Sequence, residues 1–177
     1  MAGITLHNVN ELNKEVLQKG TFIILLHAAS IPPHLGIIKD GFYYSIHAKG
    51  QTIKEPIKVI LRAINLKKIK TLFVKINDSD NELNLIPYFE KYPSVISGKV
   101  TCLNPLRDVF KHEYKVDTSA VKFVFHLIPV LDAKNLVDRF FHLNMNNEIE
   151  NENFSLKTYT LADINNRIDN LNNNEKC

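Results

Sequence analysis

The distribution of apolar and polar positions along the chain predicts strands and helices mixed throughout its length. Short apolar runs rich in branched and aromatic side chains are typical of buried strands, whereas apolar positions three or four residues apart are typical of helices. By this criterion strands are expected at 21–28, 34–39, 42–48, 70–76, 120–131 and 154–161. Helices are expected at 8–19, 55–68, 80–92, 104–114, 132–144 and 162–171.

One pair of these strands is predicted to form an antiparallel hairpin. Asp40-Gly41 separates "HLGIIK" from "FYYSIHA", and Asp-Gly suits the positive φ angles of a type I′ turn. Strands and helices that are intermixed around an antiparallel pair favour an α+β fold, with helices packed on an antiparallel sheet. We expect a single domain over 1–171 and a disordered polar tail over 172–177.

Composition and charge narrow the functional classes. The chain has 177 residues, 45% of them hydrophobic, so it can bury a core, and its net charge of +3 is too small to predict nucleic-acid binding. Its apolar runs are too short for stable membrane insertion. The N-terminus lacks a signal-peptide pattern and the two cysteines do not form a disulfide framework, so a cytoplasmic location is expected. The oligomeric state is left open.

The sequence contains no motif for a cofactor or a metal ion. A Gly-rich phosphate loop and a dinucleotide-binding fingerprint are both absent. Zinc would need more than the hairpin histidines, and no further ligand is obviously placed. We therefore expect neither a cofactor nor a bound metal.

Two histidines of the hairpin are candidates for acid–base chemistry. With Asp40 and Gly41 at the centre of the turn, pairing outward brings His34 opposite His47. Residues opposite each other have Cβ atoms about 5 Å apart and point to the same face. Gly36 would leave open space on that face. The alternative is that both histidines are half-exposed residues at strand ends with no chemical role.

A cysteine precedes the helix predicted at 104–114. Asn104 is the expected cap, Pro105 the first helical residue, and Cys102 lies just before them. The positive end of the helix dipole and the free amide donors there favour a thiolate, which is the nucleophilic form. The alternative is a small apolar residue buried in the core.

The order of these features resembles the circularly permuted papain-like hydrolases. In that group, which includes the lecithin:retinol acyltransferase-like proteins and the PPPDE isopeptidases, a histidine on a strand precedes a cysteine that starts a helix. The stretch "HLGIIKDGFYYSIHAKG" is similar to their hairpin. The chain differs in having Thr101 before the cysteine, where those families have Asn, and in a His-to-His interval one residue longer than in the acyltransferase-like branch.

The resemblance implies a permuted papain-like (NlpC/P60-like) core and a catalytic set. Cys102 would be the nucleophile, His34 the general base, and His47 would orient or polarise His34. The expected activity is that of a thiol-protease-like hydrolase or acyltransferase, acting on an amide, isopeptide or ester bond of a peptide, a protein or an acylated small molecule. The alternative is a non-enzymatic binding or interaction module in which the hairpin and Cys102 are structural.

Overall fold

The chain folds as a mixed β-sheet with helices on both faces. The structure is a computed structural model that describes residues 3–78 and 82–173. Its strands are β1 (Ile4–Leu6), β2 (Val9–Glu11), β3 (Thr21–Leu26), β4 (His34–Lys39), β5 (Phe42–His47), β6 (Gly50–Pro56), β7 (Thr71–Ile76), β8 (Val137–Leu143) and β9 (Phe154–Leu156). Its α-helices are α1 (Ile57–Leu66), α2 (Ile86–Glu90), α3 (Leu103–His112), α4 (Val124–Asp132) and α5 (Leu161–Asn173), with a 3-10 helix at Lys14–Gln18.

The main sheet has the strand order β2-β8-β7-β3-β4-β5-β6. Its strand pairs are antiparallel except for β2 with β8, which are parallel. Strands β1 and β9 form a separate antiparallel pair. The α+β class is therefore confirmed, although the main sheet is mixed rather than wholly antiparallel.

Alternating side chains bury both faces of the sheet. Leu35, Ile37, Tyr44 and Ile46 pack against α3 and α4 on one face. On the other face Phe22, Ile24, Ile38, Tyr43 and Phe73 pack against the apolar side of α1. Burial on both faces explains why the central strands are continuous apolar runs rather than alternating ones.

The hairpin prediction is confirmed at its turn. Lys39 pairs with Phe42, Ile38 with Tyr43 and Ile37 with Tyr44, as expected from a turn centred on Asp40-Gly41. Both turn residues have positive φ, 47° for Asp40 and 80° for Gly41. The carboxylate of Asp40 also accepts a hydrogen bond of 2.8 Å from the backbone N–H of Gly20, which ties the turn to the start of β3.

The helix expected at 8–19 is wrong. Val9–Glu11 forms the edge strand β2, and a 3-10 helix follows at Lys14–Gln18. Asn8, the expected cap, has a φ of 56° and precedes the strand. Val9 and Leu17 are buried on different sides of the sheet. Parallel pairing with β8, which is more than a hundred residues away in sequence, therefore overrides the local helical pattern.

The strand expected at 120–131 and the helix expected at 132–144 are both wrong, because the structure has a helix in the first range and a strand in the second. The first contains helix α4, which buries Val124, Phe125, Leu127, Ile128 and Leu131. Because this helix is apolar around most of its circumference, it shows no helical periodicity, and its branched and aromatic residues imitate a strand. The second contains strand β8, which lies between β2 and β7 and contributes residues to both cores.

Several other predicted elements are found with altered ends. The helices expected at 55–68 and 104–114 correspond to α1 and α3, and the strand expected at 70–76 corresponds to β7. The helix expected at 80–92 is reduced to α2, and part of that range lies outside the described residues. Helix α5 extends to Asn173, and residues 174–177 of the expected tail lie outside the described residues.

Candidate active site

Cys102 occupies the capping position of helix α3, which begins at Leu103. Asn104 is not the cap, contrary to the expectation from sequence. Its side-chain oxygen instead accepts a 2.8 Å hydrogen bond from the backbone N–H of Thr101, while the Thr101 hydroxyl accepts one of 3.3 Å from the N–H of Leu103. This reciprocal arrangement resembles a capping box and holds the cysteine at the start of the helix.

These same contacts occupy the amide donors at the start of α3. The N–H of Leu103 is bonded to the Thr101 hydroxyl, the N–H of Asn104 to the Thr101 carbonyl, and Pro105 has no N–H. The helix terminus therefore offers the sulfur fewer donors than the sequence suggests. Among the residues that the structure describes, the backbone amides of Leu35 and of Cys102 itself are those that lower the pKa of the thiol.

The thiol of Cys102 is protonated at neutral pH. Burial raises its pKa to about 11, outweighing the two backbone amides. The expectation of a helix-stabilised thiolate is therefore wrong. Cys102 remains partly exposed and has no disulfide partner among the described residues.

His34 and His47 end the two strands of the hairpin next to the same cavity. The β4–β5 ladder runs from Lys39–Phe42 to Ile37–Tyr44 and stops there, so His34 and His47 are not paired across it as expected. Gly36 leaves no open space either, because a Cβ there would lie 2.5 Å from Cε2 of Tyr43. The ring of Tyr43 thus covers the position that was expected to be empty.

Cys102, His34 and His47 line one cavity, which we call the Cys102 pocket. Its volume is about 360 Å³. It is bounded by residues from the loop after β3, the outer ends of β4 and β5, the start of α3, and helix α5. Its lining includes the side chains of His27, Ile31, Pro32, His34, His47, Cys102, Lys122, Tyr159, Arg167 and Leu171.

The pocket keeps its histidines neutral. The pKa of His34 falls to about 4, mainly because it is buried and further because His47 and His27 lie nearby. Burial also lowers the pKa of His47, and Lys49 adds to this effect. Nδ1 of His47 accepts a 3.3 Å hydrogen bond from the backbone N–H of Lys49, so its proton belongs on Nε2.

The structure thus brings the three predicted site residues, Cys102, His34 and His47, to one pocket. The sulfur of Cys102 makes no hydrogen bond to an imidazole nitrogen of either histidine. In proteins without substrate, catalytic hydrogen bonds are often long or poorly aligned and tighten only when substrate binds. The observed arrangement is therefore a thiol and two imidazoles held around a common space, all uncharged near pH 7.

Other pocket residues were not anticipated from the sequence. His27 belongs to no motif in the sequence, yet it lines the pocket beside His34. Arg167 and Leu171 come from helix α5, on the face that also carries Ile164 and Ile168. The spacing of three and four residues on α5 was a detectable signal that one side packs inward. Nothing in the sequence indicated that this side would meet Cys102.

Comparisons with protein-family models, with curated proteins and with solved structures find no match for this chain. The described residues contain no group of three or more His, Cys, Asp and Glu side chains arranged to hold a metal ion. Across the ranges 3–78 and 82–173, none of the helices combines the length and apolar character needed to cross a membrane.

Proposed function

We propose that the protein is a cysteine-dependent hydrolase or acyltransferase acting on an amide, isopeptide or ester bond, with a permuted papain-like (NlpC/P60-like) core. The observation that carries this proposal is that Cys102, His34 and His47 line one pocket although they lie on separate elements. A nucleophile, a base and a group that assists the base are the minimum for covalent acyl transfer.

The packing of α3 on the hairpin also supports the proposal. Helix α3 starts beside the nucleophile and buries Leu103, Leu106 and Val109 against the sheet face that carries Leu35 and Ile37. The nucleophile is therefore attached to a buried helix, and the histidines to neighbouring strands. Sites built on helices and strands hold reacting groups more rigidly than sites built on loops.

The reaction begins with the thiol of Cys102 and the imidazole of His34 both uncharged. His34 removes the thiol proton as the sulfur attacks the carbonyl carbon, so the S–H bond breaks, a C–S bond forms, and the carbonyl π electrons move to oxygen. The intermediate collapses, and the departing amine or alcohol takes the proton from His34, leaving a thioester. Water or an acceptor alcohol or amine then attacks the thioester and gives its proton to His34. The C–S bond breaks and the sulfur regains that proton.

Two further groups have defined tasks in this scheme. The N–H of Leu103 is engaged by Thr101, whereas the N–H of Cys102 is bonded to the sulfur of its own residue. The Cys102 N–H is therefore the amide assigned to the oxyanion once the sulfur has attacked the carbonyl carbon. Because Nδ1 of His47 is held by the N–H of Lys49, its Nε2–H is the group that can donate to a substrate or to His34. This arrangement suits polarisation of His34 or of the substrate carbonyl rather than proton removal.

The alternative function is a non-enzymatic binding or interaction module. The pKa of about 11 for Cys102 favours it, as does the lack of a hydrogen bond between the thiol and the imidazole of His34 or His47. In that case the hairpin and Cys102 are structural, and the pocket only binds its ligand. The two functions differ in whether an acyl group is ever attached to sulfur.

Trapping the acyl-enzyme distinguishes these functions. The protein is mixed with 4-nitrophenyl hexanoate, quenched in acid and digested, and the Cys102 peptide is examined by mass spectrometry. We expect a hexanoyl adduct on that peptide and release of 4-nitrophenol above background. Both should be lost in Cys102→Ala and retained in Cys177→Ser, with circular dichroism verifying that each variant is folded. Equal release by wild type and Cys102→Ala, with no adduct, would leave the binding module as the function.

A further inference from the structure

The charged side chains that line the Cys102 pocket are all basic. Arg167 and Lys122 line it together with His27, His34 and His47, whereas its described lining includes no Asp or Glu. A cavity lined by cationic side chains without carboxylates attracts negative charge, and its low-dielectric walls strengthen that attraction. The lining therefore selects for the charge of a ligand.

Arg167 is available to a ligand. Among the described residues its guanidinium has no carboxylate partner. Asp163, one turn earlier on α5, is already engaged by Thr160 through its backbone N–H at 2.7 Å and its hydroxyl at 2.8 Å. Arg167 also lies close enough to His27 to lower the pKa of that imidazole. Arg167 is itself exposed, so it contributes to the pocket lining a positive charge that no carboxylate of the described residues pairs with.

The rest of the pocket entrance is apolar. Ile31 and Leu171, which both line the pocket, are 49% and 41% exposed. Pro32 and Pro33 lie between Ile31 and His34 in the same wall. Exposed aliphatic side chains around a cavity mark a place where apolar ligand surface is buried. An aliphatic chain ending in an anion fits both properties.

We infer that the pocket binds an aliphatic acyl group whose far end is a carboxylate, with Arg167 as the residue that recognises the charge. The carbonyl to be attacked lies at Cys102, and the aliphatic segment contacts Ile31, Pro32 and Leu171. The carboxylate meets the guanidinium, whose planar fork matches it with two parallel hydrogen bonds. The assignment of the attacked carbonyl rests on the proposed function, whereas the anion subsite does not.

Binding measurements test the subsite without requiring catalysis. Hexanoate and hexanamide have the same chain and differ in charge, and each is titrated by calorimetry into Cys102→Ala protein. Because a charge-assisted pair is lost with the amide, we expect hexanoate to bind on the order of tenfold more tightly. The preference should disappear when Arg167→Ala is added. It should survive Arg62→Ala, since Arg62 carries the same charge but lies on helix α1 and does not line the pocket.

Kinetic measurements connect the subsite to the reaction. The mono-4-nitrophenyl ester of adipic acid is compared with 4-nitrophenyl hexanoate, and we expect a higher kcat/KM for the adipate ester. Arg167→Ala should abolish this preference, mainly by raising KM for the adipate ester. Arg167→Lys should retain part of the preference.

The outcomes separate the subsite from the catalytic proposal. In one outcome hexanoate binds more tightly in a way that depends on Arg167, while wild type cleaves neither ester faster than Cys102→Ala does. That result would support the anion subsite and contradict the proposed catalytic activity. Equal binding of hexanoate and hexanamide would overturn the subsite, whatever the esters show. A preference that persists in Arg167→Ala would also overturn the assignment to this residue.

Discussion

The backbone amide of Leu35 faces the sulfur of Cys102, in the segment of the hairpin where β4 and β5 no longer pair. The ladder ends at Ile37–Tyr44, and α3 meets this region with its first turn. The N–H of Leu35 thus donates to the thiol of Cys102 and not to a carbonyl of strand β5. The opening of the hairpin is what allows a cysteine from the middle of the chain to reach its histidines.

The reactivity of Cys102 toward alkylation is the first prediction. Because burial raises its pKa to about 11, iodoacetamide at pH 7 should modify it on the order of tenfold to 100-fold more slowly than an ordinary thiol. The rate should keep rising as the pH is increased beyond 9. The measurement uses Cys177→Ser protein so that Cys102 is the single thiol, with the same protein in denaturant as the reference. A fast, pH-independent rate between pH 6 and 8 would instead indicate a preformed thiolate.

The stability of the fold should depend on His34 in mildly acidic solution. The folded pKa of about 4 lies below the ordinary value of 6.5, so the unfolded chain binds the proton more readily between those values. The stability associated with a neutral His34 is therefore complete above pH 6.5 and is lost as the pH falls toward 4. For this residue alone, the loss between pH 7.5 and pH 5 is about 2 kcal/mol.

Urea denaturation of wild type and His34→Gln at these two pH values checks this expectation. The free energy of unfolding should fall less steeply with acidification in His34→Gln, because glutamine does not titrate. Identical slopes for the two proteins would show that the pKa of His34 is the same in the folded and the unfolded chain, so that the imidazole is not sheltered from water.

The pH dependence of catalysis follows from the neutral thiol and imidazole of the proposed site. His34 must be unprotonated to accept the thiol proton, so kcat/KM should rise with an apparent pKa near 4 and stay level through pH 8. The profile is measured with 4-nitrophenyl hexanoate after subtracting the rate of Cys102→Ala. A rising limb near pH 6.5 would point to a base other than the buried imidazole.

Gly36 should not tolerate even a methyl group. A Cβ at this position would lie 2.5 Å from Cε2 of Tyr43 and 2.8 Å from the carbonyl oxygen of Tyr44. The first contact is with a ring that can shift, whereas the second is with the backbone of a paired strand. Gly36→Ala should therefore lower the free energy of unfolding by about 1–3 kcal/mol, which denaturation measures directly.

A double mutant identifies the source of that cost. Tyr43→Leu added to Gly36→Ala should recover only part of the stability, because the contact with the Tyr44 carbonyl remains. Gly98→Ala is the comparison, since nothing lies within 4 Å of its added Cβ and its cost arises from a φ of +72°. Full recovery in the double mutant would assign the whole effect to the Tyr43 ring.

The sequence signals that correctly predicted structure are those in which neighbouring residues determine the backbone conformation. Asp40-Gly41 specifies the turn through its positive φ angles, and the register next to it follows within three residue pairs. Helix α3 was expected from its polar and proline start, although the contacts of Thr101 and Asn104 begin it at Leu103. Such signals require no knowledge of the rest of the chain.

The signals that failed belong to segments whose partners are distant. Helix α4 is apolar on nearly every side because the sheet and neighbouring elements enclose it, which removes the periodicity of a helix. Residues 8–19 carry a helical pattern, yet Val9–Glu11 is extended because β8 supplies backbone hydrogen bonds beside it. Pairing with a remote strand supplies a free energy that local propensity does not contain.

By itself the sequence determined the α+β class, the hairpin turn, and the candidate set of Cys102, His34 and His47, since residue type and spacing carry that information. Only the tertiary structure decided that these three line one pocket and that Arg167 and His27 join them there. It also decided the protonation of the thiol, because a pKa depends on the burial and donors around a group. Those surroundings come from elements far apart in the chain, and folding alone assembles them.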